Sequence, residues 1–68
     1  MLTERQKTTI SAIAACDMNI SKTAEILYYN RNTVVYHCDN ILKKTGLDPR
    51  KFYDLVKLME IVRDESDG

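Results

Sequence analysis

The 68-residue chain has no tryptophan, one phenylalanine, one histidine, one proline, two glycines, two cysteines and no net charge. Each shortage removes a class of protein. Two cysteines, Cys16 and Cys38, without repeat spacing or a signal peptide exclude a disulfide framework, and they are read as reduced thiols in a cytoplasmic protein. A structural zinc site needs four ligands in paired spacings, so the neighbours His37 and Cys38 do not make one; no metal or cofactor is expected. Nor can they act as a catalytic pair, because adjacent helical residues point about 100° apart. The chain carries no phosphate loop and no scaffold large enough for a cleft, which argues against an enzyme. No apolar stretch approaches the roughly 18 residues of a membrane span.

What is present is helix-forming and 44% hydrophobic, with no long alternation of apolar and polar residues that would signal a strand. The length fits one small domain, or a piece of a longer chain, that buries only about 60% of its unfolded surface. Charge is unevenly placed. Residues 22–51 hold six basic and three acidic groups, whereas residues 52–68 hold two basic and five acidic. The middle of the chain can therefore face a polyanion although the whole is neutral.

Four helices are expected, at about residues 4–16, 22–28, 31–45 and 49–63, giving an all-α domain. Thr3 and Gln6 have capping-box spacing ahead of a stripe of Ile10, Ile13 and Ala14. Ser21 is taken as the cap of the short second helix, with Ile20 just ahead of it and Ala24 and Leu27 facing inward. A turn at Tyr28 to Asn30 follows. Both tyrosines are read as turn and core packing, Tyr29 the more buried. Asn30 caps the third helix, in which Val34, Cys38, Ile41 and Thr45 share one stripe, and Gly46 ends it. Asp48-Pro49 reads as cap and first position of the fourth helix. Its expected apolar face is Phe52, Leu55, Val56, Met59 and Val62, and residues 64–68 read as a frayed acidic tail.

With Val34, Cys38 and Ile41 inward, Asn32, Tyr36, Asp39 and Lys43 face outward and Arg31 stands at the tip. A helix pinned behind a shorter one, polar at its N-terminal end, matches a helix-turn-helix, whose second helix enters the major groove of DNA. Arg31 can fork to guanine and Asn32 can read adenine, each good bidentate contact being worth about 1–3 kcal/mol of discrimination. Ser21, Lys22, Thr23, Thr33 and Tyr36 are the expected phosphate contacts, although Tyr36 fits plain exposure equally.

NISKTAEIL, RNTVVYH and ILKKTGLD together resemble the C-terminal helix-turn-helix of PucR/CdaR-type bacterial transcriptional regulators, and more distantly the DNA-binding end of the nucleoid protein Fis. The likeness covers residues 10 to about 60. Its most specific part is the ordered set Asn19-Ile20-Ser21, Thr23-Ala24, Leu27, Arg31-Asn32-Thr33, Tyr36, Ile41 and Thr45-Gly46-Leu47-Asp48. It implies DNA binding through Asn30, Arg31, Asn32, Thr33 and the outward residues of the next turn. It also implies a module that is usually the last domain of a longer regulator.

This chain departs from the resemblance where such proteins usually carry cations. Val35 stands in place of an arginine and His37 in place of an arginine or lysine, so Val35 is expected against a thymine methyl and His37 is a phosphate contact mostly neutral at pH 7. Fewer cations mean a shallower salt dependence, at about −0.9 per phosphate neutralised. The alternative is a protein-interaction module on the same scaffold. In it Leu42, Leu58 and Ile61 are exposed together as a homodimer or partner surface.

Overall fold

In a computed structural model that describes residues 1–67, the chain forms α1 (Glu4–Ala15), α2 (Ile20–Ile26), α3 (Arg31–Thr45) and α4 (Phe52–Asp67). No strand occurs among the described residues. α1 opens on the expected capping box, Thr3 Oγ1 accepting from Gln6 N and Gln6 Oε1 accepting from Thr3 N. Ile10 and Ile13 are fully buried and Ala14 partly so.

α1 and α2 end in the same way. Past the cap Cys16, Asp17 N donates to Ala14 O and Met18 N to Ile13 O; past the cap Leu27, Tyr28 N donates to Glu25 O and Tyr29 N to Ala24 O. Both are Schellman motifs, and both place a non-glycine residue in the left-handed region, Asp17 at φ 54° and Tyr28 at φ 58°. The second residue of each motif, Met18 and Tyr29, packs against the core. Tyr29 is thus the more buried tyrosine. Tyr28, expected in turn and core packing, lies in the turn but is 95% exposed.

The cap of α2 is corrected from Ser21 to Asn19. Asn19 Oδ1 accepts from Lys22 N at 2.9 Å and its carbonyl accepts from Thr23 N, so the helix starts at Ile20, earlier than expected. Its expected end at about Tyr28 also moves back, to Ile26. α3 agrees with expectation at both ends, from the Asn30 cap to Gly46 at φ 77°. Val34, Cys38 and Ile41 are fully buried.

α4 starts at Phe52, not at Pro49. The Asp48 carboxylate closes a local turn instead of capping a helix: Oδ1 accepts from Arg50 N and Nε, and Lys51 N donates to Asp48 O. The expected apolar face is also corrected. Leu55 and Leu58 are buried and Met59, Ile61 and Val62 pack beside them, whereas Phe52 is 60% exposed and Val56 is exposed too. The rotation follows from docking on α1, since Glu65, one turn beyond Val62, accepts from Leu2 N at 3.1 Å and meets Lys7 Nζ at 3.7 Å. Through the same contacts the residues expected as a frayed tail, Asp64 to Asp67, form the last turn of α4; Gly68 lies outside the described residues. Finally, Leu58 is in the core and Ile61 packs against it, while Leu42 is exposed. The surface expected from these three residues does not form, because α4 turns Leu58 toward α1 and not outward.

Candidate nucleic-acid interface

α2 and α3 pack more closely on each other than any other two helices do, across the four-residue connection 27–30. The interface grows from the start of α3. Asn30 Oδ1 accepts from Thr33 N at 2.8 Å and from Thr33 Oγ1 at 3.0 Å. Two side chains are thereby committed to holding the tip. Arg31 and Asn32, between them, are exposed and make no side-chain hydrogen bond or salt bridge among the described residues.

The outward face continues as read from the sequence, with Tyr36, Asp39 and Lys43 exposed and Val35 half-buried at its edge. His37 is half-buried, its ring 5.6 Å from that of Tyr29 and 5.7 Å from that of Tyr36. Burial, helped by the nearby Arg5 cation, holds its pKa below the ordinary value, so it brings no positive charge at neutral pH. Its place is as packing that links the turn to Tyr36. Cys38 behaves as a core residue, burial pushing its thiol up to about 11.

The structure removes one residue from the expected phosphate set. Thr23 is fully buried with its hydroxyl donated to Asn19 O at 2.8 Å, so it packs α2 against the core and does not reach a duplex. Ser21 and Lys22 on the first turn of α2 are exposed. The basic surplus of residues 22–51 also narrows. Lys44 donates to Met1 O and Gln6 Oε1, which ties the N-terminal segment to α3. Arg50 pairs with Asp39 at 2.9 Å and with Asp48 at 2.8 Å. Burial pushes the Asp48 carboxyl up, but the Arg50 side-chain and backbone hydrogen bonds, with the charges of Arg50 and Lys51, hold it below its ordinary value. Lys22, Arg31, Lys43 and Lys51 make no salt bridge among the described residues.

Tyr28 is the residue that sequence reading placed least well. It stands two positions ahead of the α3 cap, and its signal is the left-handed position after the α2 cap, which turns a side chain outward. Among the described residues no group of three or more His, Cys, Asp or Glu stands together as metal ligands, and no helix is long and apolar enough to cross a membrane.

A short helix, a tight turn and a second helix capped at a polar, solvent-facing tip define a helix-turn-helix domain. The chain belongs to the PucR C-terminal helix-turn-helix domain family, whose sequence model matches residues 7–60. Neither the curated proteins nor the solved structures searched give a match to it.

Proposed function

We propose that this domain binds double-stranded DNA sequence-specifically, with α3 in the major groove, as the DNA-binding part of a bacterial transcription regulator. The observation that carries the reading is the α3 tip, where Asn30 and Thr33 lock the first turn and leave Arg31 and Asn32 exposed and unpaired. N-terminal residues of a recognition helix are the ones that meet base edges. Arg31 and Asn32 supply the bidentate donors and acceptors that distinguish guanine and adenine. Val35, one turn on, offers a methyl surface to thymine.

Asn30 acts mainly by holding the tip, since its side-chain oxygen already accepts twice. Ser21, Lys22 and Tyr36 serve as phosphate contacts that fix orientation, while Thr33, whose N–H and hydroxyl are both donated to Asn30, holds the tip. His37, its ring beside that of Tyr36, joins this set without a charge, as a neutral ring N–H donor only. With few cations in this set, binding has a shallow salt slope, and specificity rests on Arg31 and Asn32 more than on bulk electrostatics. The domain is read as the C-terminal module of a longer cytoplasmic regulator, and no catalytic step enters this reading.

Selection from random duplexes, repeated with Arg31→Ala, tests the proposal. A preferred site containing a guanine that becomes degenerate at that one position in the variant supports it. Enrichment of no sequence by the wild-type domain would refute it.

A further inference from the structure

α4 carries a second surface, away from the α3 tip. An open apolar groove of about 390 Å³ runs between the C-terminal end of α1 and the first half of α4. Ala14, Asp17 and Met18 form one wall, and Phe52, Val56 and Met59 the other. Phe52 is well exposed, with Tyr53 edge-on to it at 5.3 Å. No backbone of α3 comes near α4, so the groove and the recognition helix do not compete for space.

The spacing of the α4 wall is informative, with Phe52 and Val56 exposed and Met59 partly buried against the core. Phe52, Val56, Met59 and Arg63 fall at i, i+4, i+7 and i+11, the alternating four-and-three step of a helix–helix seam. Three apolar side chains and an exposed arginine therefore form one line along α4, outside the ridge of Leu55, Leu58 and Val62 that packs toward α1. The seam is complementary to itself when reversed. In an antiparallel pair with its two-fold axis between Val56 and Met59, each Val56 meets the other copy's Met59, and each Phe52 meets the other copy's Arg63. Asp17 lines the groove at the Phe52 end, because α1 runs antiparallel to α4. The incoming Arg63 thus finds an aromatic face and a carboxylate together, a cation–π and ion-pair site of the kind a guanidinium favours.

We propose that the α1–α4 groove binds a second copy of this chain, forming a two-fold dimer along an antiparallel α4 seam with Arg63 of each copy seated over Phe52 and beside Asp17 of the other. The whole chain is neutral, but residues 52–68 hold five acidic and two basic groups, so the two α4 helices repel at long range. The pairing therefore rests on the contacts of Phe52, Val56 and Met59 and on Arg63 beside Asp17. The seam is about 16 Å long at 1.5 Å per residue, which places it among small, concentration-dependent interfaces. The inference stands apart from DNA binding, since it concerns a different face and is read out without DNA.

Sedimentation equilibrium from low micromolar to near-millimolar protein tests it, with helicity measured on every variant to confirm folding. Wild type shows a reversible monomer–dimer equilibrium. Phe52→Asp, at an exposed position that leaves the core intact, weakens the dimer at least about tenfold. Arg63→Glu and Asp17→Lys each weaken it by about three- to tenfold, because symmetry doubles every loss. The double variant with Asp17→Lys and Arg63→Glu regains wild-type association, a recovery that a merely structural role cannot produce. A wild-type chain that stays monomeric at every concentration overturns the proposal. So does a dimer indifferent to Phe52→Asp, or a double variant no tighter than the singles.

Discussion

Asn30 Oδ1 accepts two hydrogen bonds from Thr33, one from the backbone N–H at 2.8 Å and one from the hydroxyl at 3.0 Å. The pair ties the first turn of α3 to the turn before it and sets the direction in which Arg31 and Asn32 leave the helix. Asn30→Ala is expected to cost about 1 kcal/mol of stability, whereas Asn30→Asp, an equally good cap, costs almost nothing. Urea denaturation of the three proteins checks this. Equal losses for Ala and Asp would show that the amide NH2, and not the accepting oxygen, holds the tip.

Two residues compete for the start of α2. Asn19→Ala removes the acceptor of Lys22 N and is expected to lower stability by about 1 kcal/mol, while Ser21→Ala, at an exposed helical position, changes it by less than about half that. Thermal melts separate them, and the reverse ranking would return the cap to Ser21.

Tyr28 adopts φ 58° with its side chain in solvent, so it has backbone strain and little packing to lose. Tyr28→Gly is expected to raise stability by on the order of 1 kcal/mol, since the left-handed conformation costs a side chain that much and glycine nothing. A higher melting temperature is the expected result. A lower one would mean that the tyrosine ring makes a contact that stabilises the turn.

Much of this was legible along the chain, and the misses fall where local rules were ambiguous or where partners distant in sequence decided the outcome. α3 could be read from Asn30 to Gly46 because cap, stripe and terminator are all local to it. At α2 the local rule was ambiguous, for Asn19 and Ser21 are both good caps two residues apart, and the packing of partly buried Ile20 and buried Thr23 against the core goes with Asn19 as the cap. At Asp48-Pro49 the cap template was satisfied in sequence, but Arg50 captured the carboxylate. The face of α4 and its length depend on Glu65 meeting Leu2 and Lys7, partners about sixty residues away that no periodicity reveals. In the interface, the exposure of Arg31, Asn32 and Tyr36 followed from helical spacing. The burial of Thr23 did not, because its hydroxyl could equally have pointed to solvent.

His37 gives the domain a pH dependence of predictable sign. Its folded pKa lies below the ordinary 6.5, so the unfolded chain binds the proton more readily. Stability is therefore complete above 6.5 and declines as pH falls through the window between that value and the lower folded one. His37 is the only histidine, and the Asp48 carboxyl, held below 3.8, acts only at more acid pH. Denaturation from neutral to mildly acid pH should show this decline in wild type and a flatter profile in His37→Gln. An imidazole titrating at or above 6.5 in the folded protein would contradict it.

The central claim is that α3 meets the duplex at its N-terminal end, and amide chemical shifts on adding the selected duplex at low salt test it most directly. The expected result is a set of shifts concentrated in residues 19–36, largest at Arg31 and Asn32, with α4 from Phe52 onward unmoved. Shifts that avoid residues 19–36, or that cluster on α4, would contradict the account.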